Sequence, residues 1–365
     1  MKILFNCTNN IVGGAVQNSA NFIKNALEDD RHIFLFLVSK EVENILIAWS
    51  VDTTHVVAFD RKNDLKSHVT QILEIEKEFN PDVVYTMAGP TYINFRNTHV
   101  MGISDGYITH AKFKNFFFNR SIKEAILMFL KSLIKGFISR LSADYYIFQT
   151  ETSRSGFCKR FIFSKKKTFI VNNAINEKFL MSSLSNCSST VEKDFYEILC
   201  PSAYYSHKDL EILFEVSSVV YEKNKIRFLI TIDNFDFIKL CKKYRNNKGI
   251  VNLGPYSYAD AIEIYKVCDA VILPSTLETF STTYIEAIAL KKPLIVTDAD
   301  FSKEICGSYA HYFKTGSRQS LLRLLESNEF KDNYHKFKER DSILSKYGTQ
   351  INRYNKIIGY LETIK

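Results

Sequence analysis

The sequence has no long hydrophobic run, little glycine or proline, and no closely spaced cysteine pair. Its 365 residues include 13 Gly and 6 Pro, which leave little room for long linkers. Every strongly apolar stretch is far shorter than the roughly 20 residues that cross a bilayer, so we expect no membrane-spanning helix. The first ten residues turn polar after Phe5, and we therefore expect no signal peptide.

The seven cysteines are scattered, odd in number and without CxxC or zinc-binding spacing. This pattern predicts a reducing compartment in which the thiols serve as small buried side chains, so we expect a cytoplasmic protein. Hydrophobic residues make up 46% and charged residues 24%, an ordinary globular composition that excludes a disordered chain. The 48 Lys and Arg against 40 Asp and Glu give a net charge of +8, which favours an anionic partner without naming one.

Short apolar segments rich in β-forming residues alternate with longer amphipathic segments along nearly the whole chain. Segments that are apolar on both faces are typical of parallel strands covered by helices. The predicted strands lie at 2–7, 32–38, 83–87, 99–104, 144–150, 167–173, 196–202, 227–233, 249–254, 269–275 and 293–298. This alternation predicts an α/β fold with two Rossmann-like domains that face each other across a cleft.

The Ser-rich stretch 181–190 is the predicted connection between the two domains. We expect an N-terminal domain over 1–175 and a C-terminal domain over 176–349. The last helix, 350–365, is expected to pack back on the N-terminal domain. The apolar residues on one face of that helix are Ile351, Tyr354, Ile358 and Leu361.

The strongest local signal is a pair of carboxylates eight residues apart, Glu278 and Glu286. Glu278 lies in a predicted loop and Glu286 in the first turn of the predicted helix that follows. The amides of 280–282 are unpaired donors at that helix start, which suits a phosphate, and an ionised carboxylate suits two sugar hydroxyls. Alternatively, Thr283-x-x-Glu286 is a capping box that only secures the helix start.

This region resembles the family 4 glycosyltransferases (glycosyl transferases group 1), which have the GT-B fold. Matching motifs follow the family's order along nearly the whole chain. They are Gly13-Gly14, Ser206-His-Lys208-Asp209, Asn252-Leu-Gly254-Pro255, Glu278 with Glu286, Ala287-Ile-Ala289 and Lys292-Pro-Leu-Ile-Val296. The resemblance is to members that build bacterial surface polysaccharides, and it implies a nucleoside diphosphate sugar as the donor.

The resemblance implies a role for each position. Glu278 would contact the donor sugar, Glu286 the ribose, and Lys208 the diphosphate, whose negative charge grows as it leaves. The expected donor-binding residues are Gly13, Gly14, His207, Lys208, Gly254, Glu278, Thr279, Phe280, Ser281, Thr282, Thr283 and Glu286. Two plainer explanations stay open: Lys208 as a solvated lysine capped by Ser206 and Asp209, and the glycine pair as an ordinary tight turn. Without G-x-G-x-x-G, that pair does not favour a dinucleotide cofactor.

The sequence departs from the family at two positions. Ala203 stands where members often have an arginine, five residues before Lys208, so diphosphate binding would rely on Lys208, His207 and the helix amides. Ser104 stands where many members have a histidine after a middle strand of the first domain. Asp105 is the expected catalytic residue there, and a turn-forming Asp-Gly is the alternative.

Asp298 and Asp300 have the D-x-D spacing that another glycosyltransferase fold uses to hold a divalent ion. Here the pair follows a strand of the second domain, where the GT-B pattern has an ordinary loop. We therefore expect a solvated turn, no essential metal and no cofactor. The expected substrate is a UDP- or GDP-linked sugar.

Residues 111–140 form a basic amphipathic segment, with seven Lys or Arg against one Glu. We expect it to dock on an anionic membrane, because Phe113 and the aromatic residues 116–118 lie outside its apolar stripe. Alternatively, the stripe packs on the sheet and the lysines face water. No nucleic-acid-binding motif accompanies the charge, so no nucleic acid partner is expected. The stripe comprises Ile122, Ile126, Phe129, Leu133 and Phe137.

The function implied by the resemblance is that of a retaining hexosyltransferase that uses a nucleoside diphosphate sugar. Its acceptor would be a glycan hydroxyl, on a lipid-linked oligosaccharide of lipopolysaccharide or O-antigen synthesis, at the inner face of the membrane. Two alternatives stay open: a GT-B-type nucleotide-sugar epimerase, and a non-catalytic membrane-surface protein that kept the fold.

Overall fold

The computed structural model describes residues 1–60, 65–182, 193–245, 247–257, 260–331 and 336–364. The predicted domain connection at 181–190 lies largely outside the described residues. The chain divides into two compact units. Unit 1 comprises Met1–Ala111, Leu127–Ala174 and Thr349–Lys365, and unit 2 comprises Lys112–Ile126 and Ile175–Gly348.

Strands and α-helices alternate through most of both units. The strands are β1 (Lys2–Cys7), β2 (Ile33–Ser39), β3 (Val56–Phe59), β4 (Val83–Gly89), β5 (His99–Ile103), β6 (Tyr145–Phe148), β7 (Thr168–Ile170), β8 (Tyr196–Cys200), β9 (Ile226–Ile230), β10 (Ile250–Asn252), β11 (Ala270–Leu273), β12 (Leu294–Asp298) and β13 (His311–Lys314). The helices are α1 (Gly13–Leu27), α2 (Lys40–Ala48), α3 (Leu65–Phe79), α4 (Gly106–Thr109), α5 (Phe113–Phe117), α6 (Ile122–Leu141), α7 (Glu151–Phe161), α8 (Glu177–Ser182), α9 (Glu211–Asn224), α10 (Asn234–Lys243), α11 (Ala261–Lys266), α12 (Thr282–Ala289), α13 (Asp300–Cys306), α14 (Arg318–Ser327), α15 (Phe337–Tyr347) and α16 (Gln350–Ile364).

Each unit contains one sheet, and every strand pair that the structure describes is parallel. The strand order is β3-β2-β1-β4-β5-β6-β7 in unit 1 and β10-β9-β8-β11-β12-β13 in unit 2. Strand order therefore reverses between β1 and β4, and between β8 and β11, as in doubly wound folds. The prediction of two Rossmann-like α/β domains is confirmed, although β3 and β13 were not among the predicted strands.

The sheet of unit 2 is covered on both faces. Along β11, Val271 and Leu273 belong to one buried cluster, with α12, whereas Ala270 and Ile272 belong to another, with α9. A strand buried on both sides has no polar face, which explains why its sequence is a continuous apolar run.

The C-terminal helix α16 packs in the core of unit 1. The ring of Tyr354 lies 5.2 Å from that of Phe22, and Ile358 and Leu361 are buried in the same cluster. Ile351, which was expected on the same face, is instead 40% exposed. The buried face is therefore narrower than the sequence pattern predicted.

Residues 112–126 follow β5 and α4 along the chain but group with unit 2. Phe116 in α5 is fully buried, and the ring of Phe118 lies where a Cβ on Gly316 would come within 3.0 Å of it. Phe116, one of the aromatic residues on which the expected membrane docking was based, is thus packed in the protein.

Candidate active site in unit 2

The predicted site residues of unit 2 meet where its strand order reverses. The chain leaves β8 at Cys200 and β11 at Leu273, and these two strands are neighbours in the sheet. In open parallel sheets, ligands bind outside the carboxyl ends of the strands at such a reversal. The turn after β8 carries Lys208, and the loop after β11 carries Glu278.

Backbone hydrogen bonds join these two segments. The amide of Thr276 donates to the carbonyl of His207 at 2.7 Å, and the Thr276 hydroxyl donates to the same oxygen at 3.2 Å. Residues 206–208 form a single 3-10 turn, so the two bonds to His207 fix the position of the neighbouring Lys208. The turn and the loop therefore form one structural unit.

Lys208 and Glu278 form an ion pair in this unit. The Lys208 ammonium donates to Oε1 of Glu278, and the two side chains are only 19% and 12% exposed. The structure therefore does not fit a solvated lysine. The side chain of Asp209 accepts a hydrogen bond from the backbone of Ile212 and so caps the turn that follows; burial, with the Glu215 and Glu211 carboxylates, raises the pKa of Asp209 to about 8. Asp209 is largely uncharged at neutral pH as a result.

His207 lies between these charged groups and is itself uncharged at neutral pH. Burial lowers its pKa to about 4; the Glu278 carboxylate opposes this shift, whereas the positive charges of Lys208 and Arg120 add to it. A neutral imidazole can donate a hydrogen bond, but it adds no positive charge toward a diphosphate.

Glu286 is buried in the middle of α12, in its second turn, and does not form the capping box. The helix begins after Ser281, whose side chain makes no capping bond. Tyr265 donates from its hydroxyl to Oε2 of Glu286 at 3.0 Å. Burial raises the Glu286 pKa to about 7, while hydrogen bonds from Tyr265 and Thr282 oppose the shift. Glu286 therefore titrates near neutral pH.

The remaining predicted residues of unit 2 line the same loops. Thr279, Phe280 and Ser281 are buried just before α12, and Thr282 and Thr283 are half-buried in its first turn. The ring of Phe280 packs edge-on against Tyr347 at 5.2 Å. These residues thus anchor the start of α12, whose first amides lack partners within the helix.

The predicted glycines stand at open positions. Gly13 has φ +60° and begins α1 directly after the β1 loop, and neither Gly13 nor Gly14 has an atom within 4 Å of a built Cβ. Gly254 has φ +77° and also faces open space. Positive φ favours glycine at Gly13 and Gly254, whereas Gly14 has no such local reason.

Asp105 has a local structural duty. Its Oδ1 accepts a hydrogen bond from the amide of Tyr107 at 2.8 Å, which caps the short helix α4 in unit 1. This is the geometry that the turn-forming alternative predicts. Nearby, Gly102 is required for packing, because a Cβ there would lie 2.1 Å from the carbonyl oxygen of Met87.

Asp298 and Asp300 do not converge on a common point. Asp298 pairs with Lys303 at 2.6 Å, and Asp300 lies 3.4 Å from Lys112. Within the described ranges, no group of three or more His, Cys, Asp and Glu residues has the geometry to hold a metal ion.

The structure adds two site residues that sequence reasoning missed, Asn115 and Arg120. Asn115 donates from Nδ2 to the carbonyl of Thr276 at 2.8 Å, and Arg120 donates to the hydroxyl of Ser206. Both come from the 112–126 segment of unit 2. The sequence did not indicate their role, because this segment and α6 together form one continuous basic stretch.

Helix α6 has an unusual distribution of side chains. Its buried positions are small, and at Gly136 a Cβ would lie 1.9 Å from the ring of Phe161. Seven of its large apolar residues are 49–73% exposed. The buried positions are Ala125, Ser132, Gly136 and Ser139, and the exposed ones are Ile122, Ile126, Leu127, Leu130, Ile134, Phe137 and Leu141. The alternative that the apolar stripe packs on the sheet is therefore wrong for Ile122, Ile126 and Phe137.

Residues 187–341 match the protein family described as "Glycosyl transferases group 1". The matched segment contains Lys208, Glu278 and Glu286. The comparison with curated proteins returns no match.

Several solved structures resemble the whole chain. Anabaena Alr3699/HepE, in complex with UDP and glucose, has a TM-score of 0.73 at 16% identity, with 100% of both chains covered. A glycosyltransferase from Rickettsia africae has a TM-score of 0.72 at 17% identity, covering 100% of this chain and 98% of the other. The lipopolysaccharide outer core galactosyltransferase WaaB has a TM-score of 0.61 at 14% identity, with 99% of each chain covered. These similarities support the GT-B fold.

None of the described helices combines the length and hydrophobicity that a bilayer span requires. The six cysteines that the structure describes are free thiols, and five of them are buried.

Proposed function

We propose that the protein is a retaining, family 4 hexosyltransferase that takes its sugar from a UDP- or GDP-linked donor. The observation that carries the proposal is the Lys208–Glu278 pair beside the start of α12. It places a cation, an acidic side chain and helix amides at the strand-order reversal of one Rossmann-like sheet. The Anabaena neighbour is described in complex with UDP-glucose, which supports a sugar nucleotide as the donor.

In this proposal different residues bind different parts of the donor. Lys208 and the first amides of α12 stabilise the departing diphosphate, and each well-aimed donor to developing charge contributes about 3 kcal/mol. Glu278 accepts hydrogen bonds from the sugar hydroxyls, and Glu286 contacts the ribose. No metal is required, because protein groups supply the positive charge. Gly13, Gly14 and Asp105, which belong to unit 1, are also proposed to contact the donor or the acceptor.

A thermal-shift panel followed by a transfer assay tests the proposal. UDP, GDP, ADP and their sugar derivatives are screened first, because a ligand at one hundred times its Kd adds about 2.7 kcal/mol of stability. Glu278→Ala and Lys208→Ala are then expected to abolish sugar transfer, and EDTA to leave it unchanged. Lys193→Ala is the control, since Lys193 pairs with Asp269 at 3.0 Å before the strands β8 and β11 begin. Unchanged transfer by both site variants would refute the site.

We further propose that the acceptor is a lipid-linked glycan of surface polysaccharide synthesis, such as O-antigen, used at the cytoplasmic face of a membrane. The supporting observation is the exposed apolar face of α6, which is accompanied by exposed Lys123, Lys131 and Lys135. Apolar side chains flanked by lysines suit an anionic bilayer, where each cation contributes about 1 kcal/mol. The resemblance to WaaB, described as a lipopolysaccharide galactosyltransferase, agrees with such an acceptor.

Vesicle co-sedimentation tests the membrane proposal. Vesicles with phosphatidylglycerol should bind the protein, and vesicles of phosphatidylcholine alone should bind it weakly. Lys131→Gln with Lys135→Gln, and separately Leu130→Ser with Phe137→Ser, should reduce binding. Lys159→Gln with Lys166→Gln removes the same charge from exposed positions elsewhere in unit 1 and should not. Equal binding by all three double variants would refute the proposal.

The transfer assay also separates the alternative enzyme. A nucleotide-sugar epimerase would convert the donor into an isomeric nucleotide sugar in the absence of any acceptor. Such a product, detected by chromatography and NMR, would replace the transferase proposal.

A further inference from the structure

The segment 112–126 lies on the two loops that carry Lys208 and Glu278. Asn115 binds the Thr276 carbonyl at 2.8 Å, two residues before Glu278. Asn119 donates a side-chain hydrogen bond to Asp209, the residue after Lys208. With Phe116 fully buried, the segment is attached to both loops at once.

Arg120 brings a guanidinium to this attachment. Its Nη1 donates to the carbonyls of Asn115 at 3.4 Å and Phe116 at 3.3 Å, and its Nη2 donates to the hydroxyl of Ser206. Ser206 begins the 3-10 turn that ends with Lys208. The positive charge of Arg120 also contributes to the lowered pKa of His207, so it acts on the middle residue of the turn.

The charge balance of the turn shows why this guanidinium matters. The positive charge of Lys208 is matched by the negative charge of Glu278, to which it is bonded. The lowered pKa of His207 leaves it neutral, and the raised pKa of Asp209 leaves it largely protonated. Ala203 offers no charge earlier in the same loop. Arg120 therefore brings a second cationic side chain to this turn besides Lys208, and its charge also helps to lower the pKa of Glu124.

We propose that Arg120 is a second diphosphate-binding residue, acting with Lys208 on the phosphates of the donor. The inference rests on the proposed function, because it assigns a further residue to the same donor site. A guanidinium presents several N–H groups in a planar fork, so it can keep its bond to Ser206 while donating to a phosphate oxygen. A residue remote in sequence thereby adds a guanidinium to the turn.

Isothermal titration of four variants tests this inference. The probes are UDP or GDP, whichever the wild-type protein binds, the matching nucleoside measured by competition, and inorganic pyrophosphate. Arg120→Ala should weaken nucleoside diphosphate and pyrophosphate binding at least about tenfold and leave nucleoside binding unchanged. Arg120→Lys should recover part of the loss, because it restores the charge without the fork.

Two controls separate a direct contact from a structural effect. Arg323→Ala removes an exposed arginine from unit 2, and Lys114→Ala removes an exposed cation from the 112–126 segment while keeping the guanidinium. Both should bind the nucleoside diphosphate within about threefold of wild type. The inference is overturned if Arg120→Ala binds as Arg323→Ala does, if Lys114→Ala loses as much affinity as Arg120→Ala, or if nucleoside affinity falls equally. A wild-type protein that binds no nucleoside diphosphate would refute the proposed function itself, and this inference with it.

Discussion

The ammonium of Lys208 bonds to the carboxylate of Glu278, a residue 70 positions later in the chain. This bond ties the turn after β8 to the loop after β11, at the point where strand order in the sheet of unit 2 reverses. The two side chains proposed to hold the diphosphate and the sugar of one donor are thus in direct contact. The two opposite charges compensate each other in a largely buried place, which prepares both groups for a polar ligand.

The Lys208–Glu278 pair should affect stability and transfer in different ways. Lys208→Met or Glu278→Gln alone leaves one mostly buried charge without its partner, and we expect each to cost roughly 2–4 kcal/mol of unfolding free energy. The double variant removes both charges and should recover much of that loss. Sugar transfer should be absent from all three variants. Urea denaturation and a radiolabelled transfer assay measure the two properties.

The same cycle on Lys193 and Asp269 is the control, because their ion pair is more exposed and lies at the amino ends of the strands. Each substitution in this control pair should lower the free energy of unfolding by at most about 1 kcal/mol and leave sugar transfer intact. Additive losses at Lys208 and Glu278 would show that the two side chains are not coupled.

Glu286 should make stability fall as pH rises through neutrality. Its pKa is raised from 4.5 to about 7 in the folded protein, so between these values the folded state holds a proton that the unfolded state has lost. The stabilisation is complete below about pH 4.5 and is lost as pH passes 7. Glu286→Gln should therefore gain about 2–3 kcal/mol relative to wild type between pH 5 and 8.

Chemical denaturation across that pH range measures the effect. Glu263→Gln, a change at an exposed carboxylate in the helix that carries Tyr265, is the matched control and should show the wild-type profile. Parallel curves for wild type and Glu286→Gln would contradict the raised pKa.

The central strands were predictable because burial on both faces leaves a recognisable apolar run. β13 was missed because it is a short edge strand that reads His-Tyr-Phe-Lys, with only Phe313 fully buried. A short strand at the edge of a sheet has no need of a continuous apolar sequence. Its position is set by the neighbouring strand instead. β3 was missed although it reads Val-Val-Ala-Phe, so its position at an edge does not explain that miss.

The site was predictable only where its residues belong to one local motif. Glu278 and Glu286 share a loop and a helix, and Lys208 follows a strand in a recognisable way. Arg120 belongs to residues 112–126, which group with unit 2, whereas the rest of the basic segment groups with unit 1. No periodicity in the sequence shows where the chain passes from one unit to the other. The buried face of helix α6 could not be predicted from its apolar stripe, because the buried positions are small residues. Gly136, for example, allows the close approach of Phe161.

The glycine pair after β1 offers a test that separates local structure from ligand binding. Gly13 has φ +60°, so Gly13→Ala should cost about 1 kcal/mol of stability through backbone strain. Gly14 has an ordinary φ and open space around it, and Gly14→Ala should be neutral or stabilise by up to about 1 kcal/mol in helix α1. Thermal unfolding measures both. A stable Gly14→Ala variant with impaired transfer would support a backbone approach to donor or acceptor, and full activity would indicate an ordinary turn.

His207 should report the charges around it when its imidazole is titrated by NMR. We expect a pKa of about 4, well below the ordinary 6.5, because burial disfavours the charged ring. Arg120→Ala and Lys208→Met each remove a positive charge and should raise this pKa, whereas Glu278→Gln removes a negative charge and should lower it further. His207→Asn assigns the resonance among the eight histidines. Titration near 6.5 that none of these substitutions moves would show that the guanidinium, the ammonium and the carboxylate do not surround this turn in solution.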